Sequence, residues 1–168
     1  MTDQLRPMAF ALQTPRMSLR LRDTGDAEWD LELLGEREGG TTRTLAQVRE
    51  RLAEQHAQAQ ATGIGLLAIE RRPEGGVIGY CGLIVGRATL EGPELAYELF
   101  RRAHGHGYAT EAARAVLDAA FATGRERVRS TVRAWNAPSF RVLEKLGFRR
   151  ERSVTDERGE LVHLVCDA

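Results

Sequence analysis

The most informative part of the chain runs Glu94-Leu95-Ala96-Tyr97-Glu98-Leu99-Phe100, then Arg101-Arg102-Ala103-His104-Gly105-His106-Gly107, then Tyr108-Ala-Thr-Glu111-Ala. The alternating apolar side chains of its first part indicate a strand. Two glycines follow, and glycine lets the backbone approach a ligand closely with its N–H groups turned toward it. A helix that begins at Tyr108 adds unpaired amides and the positive end of its dipole. This order of elements predicts a seat for a pyrophosphate, with an ordinary tight turn as the alternative.

The helix after this turn has one apolar face. The residues on that face recur at helical spacing: Ala109, Ala112, Ala113, Val116, Leu117, Ala120 and Phe121. Because most of them are alanines, the helix can lie close against a sheet. Gly124 is suited to end it.

A second motif follows a strand predicted over residues 127–134. It reads Asn136-Ala-Pro138-Ser139, then Val142-Leu143-Glu144-Lys145-Leu146-Gly147-Phe148. Asn136 suits a helix N-cap and Pro138 suits the first helical turn. Gly147 suits the position just after the helix, and Phe148 opens the next strand.

These two motifs together resemble the GNAT superfamily of N-acetyltransferases. Two further segments, Arg16-Met-Ser-Leu-Arg20-Leu-Arg22 and Val77-Ile-Gly-Tyr-Cys-Gly82, are similar to segments of the branch that contains the ribosomal-protein N-terminal acetyltransferases. The resemblance covers roughly residues 14–166 and implies a single domain over residues 1–168. It also implies an α/β (α+β) fold, in which a mixed, twisted, mostly antiparallel central sheet is flanked by helices and splayed at the acetyl-CoA site.

The resemblance also implies a reaction and a set of site residues. Acetyl-CoA would be the co-substrate, and a primary amine of a protein N-terminus or a small molecule would attack it directly in a ternary complex. The cofactor-binding residues would be Leu99, through a backbone N–H, with Arg102, His104, Gly105, His106, Gly107 and Tyr108 at the pyrophosphate, and Asn136 and Ser139 at the pantetheine arm. No metal is implied.

The acid and the base are harder to assign. Many superfamily members have a tyrosine as general acid where this chain has Leu143. The resemblance then leaves Ser139 as the nearby hydroxyl that could act as the acid, with a helix-capping role as the alternative. Glu98 is the candidate base, acting through water, or the binder of a cationic substrate. The alternative for Glu98 is that it is only a solvent-facing residue of the strand. For Glu94 that is the favoured interpretation. Glu111, in the first helical turn, is interpreted as structural.

Two other functions are consistent with parts of this pattern. A non-catalytic acyl-CoA-binding sensor would keep the cofactor seat without the chemistry, which is an alternative that Leu143 favours. A nucleotide-phosphate binder would share only the glycine-rich turn, and the Asn136 motif argues against it.

Composition narrows the class of protein. Lys+Arg and Asp+Glu both number 24 in 168 residues, so the formal net charge is zero, which argues against nucleic acid as a partner. Two cysteines suit a reducing cytosol, and neither a signal peptide nor a membrane-spanning run is seen, so we expect a cytoplasmic protein without membrane contact. A homodimer is compatible with the sequence. His104 and His106 lack partners nearby in sequence, so no metal site is expected.

The remaining elements are predicted from capping and alternation. Residues 16–22 read as a strand, Thr24 starts a short helix through Leu34, and Thr44 with Gln47 caps a helix to about Gln60. Residues 63–71 and 77–85 form a hairpin, and a last hairpin turns at residues 156–159. The two early helices and the last hairpin are expected to select the acceptor.

Overall fold

Eight strands and four α-helices make up residues 4–168, the part of the chain that this computed structural model describes. The strands are β1 (Ala11–Gln13), β2 (Met17–Leu21), β3 (Leu66–Arg71), β4 (Val77–Ile84), β5 (Glu94–Leu99), β6 (Arg127–Arg133), β7 (Arg149–Asp156) and β8 (Gly159–Asp167). The helices are α1 (Ala27–Gly35), α2 (Leu45–Thr62), α3 (Tyr108–Phe121) and α4 (Ala137–Lys145).

All the strands belong to one sheet, in the order β1-β2-β3-β4-β5-β6-β8-β7. Every neighbouring pair is antiparallel except β5 and β6, which run parallel and are paired only where Glu94 faces Arg129. Because this pairing lies at the start of both strands, β5 and β6 separate toward their carboxyl ends. The mixed, mostly antiparallel and splayed sheet is the architecture that the resemblance implies.

Helix α3 packs on the sheet through the small residues that its sequence pattern predicts. Ala112, Ala113, Val116 and Ala120 are fully buried in the main core, to which α4 adds Phe140 and Leu143. A smaller cluster joins α1 and α2, with Val48 and Leu52 at its centre. Alanine lets the axis of α3 approach the sheet, and this places the start of α3 beside the opening between β5 and β6.

Local signals set most of the helix boundaries. The capping box of Thr44 and Gln47 is present, and Gly147 follows α4 with φ +93°. The first helical turn differs from the prediction, since Asp23 rather than Thr24 is the capping residue and accepts a hydrogen bond from the Gly25 amide at 2.8 Å. Strand β1 was not predicted, because its three residues show no clear alternation.

No helix within residues 4–168 is both long and apolar enough to cross a membrane.

Candidate active site

The glycine-rich turn supplies a row of unpaired amides. After β5 the chain makes a short 3-10 turn over Arg101–Ala103, and then Gly105 and Gly107 adopt left-handed φ angles of +80° and +78°. Gly107 is the N-cap of α3, and the first helical hydrogen bond is donated by the Glu111 amide to the Gly107 carbonyl. The amides of the first helical turn before Glu111 therefore have no partner within α3 and are available to an anion.

A cavity of about 660 Å³ lies between this turn, the end of β5 and the start of α4. Seven of the residues predicted to bind the cofactor line it: Leu99, His104, Gly105, Gly107, Tyr108, Asn136 and Ser139. The fold thus brings together two motifs that are about 30 residues apart in the sequence.

The side chains of Arg102 and His106 lie outside the residues that line this cavity. Arg102 stacks on the Phe100 ring, with its guanidinium carbon 4.0 Å from the ring centroid, and donates to the Val77 carbonyl at 3.2 Å. The His106 carbonyl accepts a hydrogen bond from Arg16 at 2.8 Å. Neither residue lines the cavity, so their role in phosphate binding stays a prediction.

Three basic side chains that the motif did not predict line the same cavity: Arg101, Arg141 and Lys145. Arg101 is held in place because its guanidinium donates to the Glu36 carbonyl at 2.6 Å and its amide donates to the Glu36 carboxylate at 2.9 Å. Arg141 and Lys145 are four residues apart on α4, so they share one helix face. That spacing was a signal in the sequence that could have identified them as phosphate-binding candidates.

A cluster of polar contacts fixes the start of α3. Glu111 accepts hydrogen bonds from the Thr14 hydroxyl at 2.6 Å and from the Arg16 side chain at 2.9 Å. Burial raises the pKa of Glu111, but the hydrogen bonds from Thr14 and Arg16 outweigh it, so the pKa lies below its usual value. Arg16 also lies 4.4 Å from the centroid of the Tyr108 ring. The structural role predicted for Glu111 agrees with these contacts.

The amides of β5 face the opening in alternation. The Phe100 amide donates to the Ile78 carbonyl of β4, so the amides of Leu99 and Tyr97 point the other way, toward β6. Since β6 pairs with β5 only at Glu94, these two amides lack a ladder partner. The Leu99 carbonyl is 3.0 Å from His104 Nε2. The Leu99 N–H is therefore placed to donate into the cavity.

Ser139 and Leu143 differ sharply in their surroundings. The Asn136 side chain accepts from the Ser139 amide at 3.4 Å, so Asn136 is the N-cap of α4, as predicted. The Ser139 side chain borders the cavity. Leu143 has no exposed surface and belongs to the main core. The helix position at which many superfamily members have a tyrosine is thus filled here by an apolar core residue.

A second cavity, of about 700 Å³, adjoins the first at Tyr97, Asn136 and Ser139, which line both. Glu94 lines it and is only 5% exposed, so its interpretation as a solvent-facing residue is wrong. Its carboxylate accepts from the Thr131 hydroxyl at 2.5 Å and from the Arg87 amide at 2.9 Å. The pairing of β5 with β6, which sequence alternation cannot reveal, buries it.

Glu98 borders the first cavity with both carboxylate oxygens engaged. Arg37, just beyond α1, donates to them at distances between 2.5 and 3.2 Å, and the Tyr80 hydroxyl donates at 3.0 Å. Burial, followed by the charge of Glu98, raises the pKa of Tyr80 to about 12. To accept a proton from a substrate, Glu98 would have to give up part of this network, and its role as a base stays a prediction.

Within residues 4–168, no three His, Cys, Asp or Glu side chains are grouped so that they could hold a metal ion. His104 and His106 are therefore not part of such a group. The two cysteines, Cys81 and Cys166, are free and buried.

Comparison with known proteins places this geometry in a family. A family model described as "Acetyltransferase (GNAT) domain" matches residues 16–149. A curated relative, the uncharacterized protein YkkB of Bacillus subtilis, is 30% identical over 112 residues. That match covers 64% of this chain and 64% of the relative, so the chain spans just under two thirds of the relative's length.

Solved structures share the fold at low sequence identity. An acetyltransferase of Agrobacterium tumefaciens has a TM-score of 0.79 at 24% identity, with 100% of both chains covered. A ribosomal-protein-S5-alanine acetyltransferase of Vibrio fischeri has a TM-score of 0.78 at 16% identity and covers 95% of this chain and 97% of its own. A Salmonella typhimurium structure that holds its cofactor acetyl-CoA has a TM-score of 0.73 at 20% identity, and the match covers 90% of this chain and 93% of the Salmonella chain. With the family model matching most of its length, this chain belongs to the GNAT acetyltransferase family.

Proposed function

We propose that this protein is an N-acetyltransferase that moves the acetyl group of acetyl-CoA to a primary amine by direct attack in a ternary complex. The observation that carries the proposal is the meeting of two cavities at Tyr97, Asn136 and Ser139, beside the opening between β5 and β6. Direct transfer needs both substrates bound at once, and two adjoining cavities can hold a donor and an acceptor on either side of one junction.

The first cavity fits coenzyme A in both its charges and its open hydrogen-bond donors. Its left-handed glycines and unpaired first-turn amides suit a pyrophosphate, and Arg101, Arg141 and Lys145 add positive charge around it. The unpaired amide of Leu99 suits the pantetheine or the developing oxyanion. When bound, acetyl-CoA supplies an acetyl group activated as a thioester.

The second cavity is proposed to admit the amine. Glu94 lines the second cavity and Glu98 lines the first, and both belong to β5, the strand that borders both cavities. Glu98 is the base we predicted from the sequence, and Glu94 joins it as a candidate because neutral donors, rather than a guanidinium, occupy its oxygens. Ser139 is the hydroxyl proposed to assist the departing sulfur.

The acceptor class is proposed from the family branch. The structural neighbour from Vibrio fischeri is a ribosomal-protein-S5-alanine acetyltransferase, which makes a protein N-terminus one candidate and a small-molecule amine the other. We also propose a cytoplasmic location, which is consistent with two free cysteines, and keep a homodimer as the assembly to test.

The test is a panel of N-terminal peptides, polyamines and aminoglycosides incubated with acetyl-CoA and the full chain. Thiol release and mass spectrometry of the acceptor would report transfer, and a thermal-shift screen of the same panel in the presence of coenzyme A would rank the acceptors. The expected result is an acetylated amine for at least one class. Tight coenzyme A binding without an acetylated product in any class would instead favour the acyl-CoA-binding sensor, the alternative suggested by Leu143.

A further inference from the structure

The hydroxyl of Tyr97 is buried and has no hydrogen-bond partner. Among residues 4–168, only three buried side-chain polar atoms lack a partner, and the other two, the Nε atoms of Arg22 and Arg71, belong to guanidinium groups. Leaving a buried hydroxyl unpaired costs free energy, so most buried hydroxyls in proteins are paired. An orphaned phenol in a candidate active site therefore points to a partner that the chain itself does not provide.

The position of Tyr97 limits what the missing hydrogen-bond partner can be. The residue lies on β5 between Leu95 and Leu99, and it lines both cavities together with Asn136 and Ser139. In the proposed ternary complex, the acyl donor and the acceptor would react where the two cavities meet, so an atom at this junction would lie near the thioester. The Ser139 side chain lies beside the phenol and lowers its pKa, but the contact between the two hydroxyls falls outside hydrogen-bond geometry.

The acidity of the phenol decides what it can do there. Burial raises the pKa of Tyr97, and Ser139 offsets only part of that rise. A tyrosine has a pKa of about 10 and a thiol one of about 8.5, so full transfer of the phenolic proton to a thiolate is uphill. A hydrogen bond from a phenol that keeps its proton meets no such obstacle, and hydrogen bonds to a charged acceptor are the strong ones.

We propose that Tyr97 is a catalytic residue whose hydroxyl donates a hydrogen bond to the sulfur of acetyl-CoA as the carbon–sulfur bond breaks. In this role a phenol on β5 serves the leaving group, while the α4 position used by many superfamily members is occupied by the buried Leu143. This inference rests on the proposed N-acetyltransferase function.

The step balances without a further reactant. The lone pair of the amine forms the new carbon–nitrogen bond, and the carbon–sulfur bond breaks with its electron pair moving to sulfur. Tyr97 keeps its proton throughout. The nitrogen loses one proton to a carboxylate or to water, and the thiolate takes one from water, which leaves an amide and the coenzyme A thiol.

The first test needs no acceptor, because it measures how a bound thiolate is stabilised. Calorimetry would compare wild type with Tyr97→Phe, using coenzyme A and desulfo-coenzyme A as probes between pH 6.5 and pH 9. We expect the two proteins to bind coenzyme A alike at the low pH. At the high pH, where the thiol ionises, wild type should bind about tenfold more tightly, as one charged hydrogen bond allows. Desulfo-coenzyme A should show no such pH-dependent difference. A wild-type to variant affinity ratio for coenzyme A that does not change with pH would overturn the proposal.

The second test separates a catalytic role from a structural one. Tyr97→Phe removes a hydroxyl without a partner, so the melting temperature of the ligand-free variant should stay the same or rise, while kcat falls about 10- to 100-fold at an unchanged KM for acetyl-CoA. Thr123→Val is the matched control, since the buried Thr123 hydroxyl bonds the Ala120 carbonyl and Arg125 away from both cavities. That control should melt lower and keep its kcat.

These outcomes distinguish the inference from the function on which it rests. A Tyr97→Phe variant that melts lower, like the control, and keeps its kcat would make the phenol structural and leave the acetyltransferase function standing. If wild type acetylated no amine but still bound coenzyme A with the predicted pH dependence, the proposed function would fail and the contact from Tyr97 to sulfur would remain.

Discussion

At the scale of single residues, Gly107 is where a left-handed backbone and the proposed pyrophosphate site coincide. Its φ of +78° is a region that glycine enters freely and residues with a Cβ rarely adopt. A Cβ built at Gly107 would lie 3.5 Å from Arg16, which is an ordinary contact, so the folded chain has room for a side chain. The structure thus requires glycine for the left-handed turn, and the proposed pyrophosphate site would also need the space above the amides.

We therefore predict that Gly107→Val folds but binds coenzyme A at least tenfold more weakly, as measured by calorimetry. Gly75→Val is the matched control, because Gly75 has a similar φ of +74° in the distant β3–β4 hairpin, with nothing within 4 Å of its built Cβ. Both variants should lose about 1–3 kcal/mol of stability to backbone strain. Unchanged coenzyme A affinity in a folded Gly107→Val would sink the assignment of the turn to the pyrophosphate.

Ser139 lies at the junction of the two cavities, beside Tyr97. We predict that Ser139→Ala lowers kcat more than it weakens coenzyme A binding, because the hydroxyl assists the leaving group while the Ser139 amide still bonds Asn136. Steady-state kinetics alongside calorimetry would show the split. A loss confined to binding would reassign Ser139 to cofactor positioning.

Glu98 can serve as the base or can hold Arg37 in place, and one pair of variants can separate these two roles. Glu98→Gln should keep the fold and the coenzyme A affinity and lower kcat/KM for the amine at neutral pH. If Glu98 is the base, raising the pH recovers part of the loss, because more of the amine is then already neutral. Arg37→Gln is the control that breaks the same ion pair and leaves the carboxylate in place. Equal losses in both variants, with no recovery at high pH, would show that Glu98 serves to hold Arg37.

At the scale of elements, α3 depends on the contacts that fix its first turn. The depressed pKa of Glu111 means that its ionised form stabilises the folded chain above the ordinary carboxyl pKa, and that this stabilisation is lost as the pH falls through the lower folded value. We predict that Glu111→Gln melts about 2–4 °C below wild type at pH 7, with the gap closing below about pH 4, since one partly exposed charged cluster contributes about 1 kcal/mol.

Calorimetric melting curves across that pH range would test the role of Glu111. Glu54→Gln, on the exposed side of α2, is the matched control and should follow wild type at every pH. A gap between Glu111→Gln and wild type that stays constant down to pH 3 would mean that packing, rather than the charge of Glu111, holds the start of α3.

The same elements show what the sequence can predict. The start of α2 at Thr44, the turn before α3 and the cap of α4 at Asn136 depend on neighbours within a few residues, so their patterns were visible in the sequence. The burial of Glu94 and the pairing of Glu98 with Arg37 depend on contacts across strands and across 61 residues of chain. Alternation along β5 placed both glutamates on one face but could not show what covers that face.

At the scale of the whole molecule, the opening between β5 and β6 is the feature that gives the sheet a candidate binding site. The sheet is continuous on either side, but these two central strands share a single paired position, with Ser130 adding one hydroxyl bond to the Leu95 carbonyl at 3.1 Å. The amides left open there would otherwise belong to a ladder. A ligand that binds these amides and the start of α3 would contact β5, α3 and α4 at once, since all three border the first cavity.

We therefore predict that coenzyme A stabilises the whole chain rather than one loop. At a concentration one hundred times its dissociation constant, a ligand that binds only the folded state adds about 2.7 kcal/mol. For a domain of this size that corresponds to a rise of about 5–10 °C in melting temperature, in a single transition. Scanning calorimetry of wild type and Gly107→Val at the same coenzyme A concentration is the measurement. The variant should show at most about half of that rise, because binding that is tenfold weaker leaves coenzyme A at only about ten times its dissociation constant, while Gly75→Val should show the full one. A coenzyme A-dependent rise of equal size in Gly107→Val would mean that the opening binds the cofactor without the turn. The open edge of β5, rather than the start of α3, would then supply most of the binding energy.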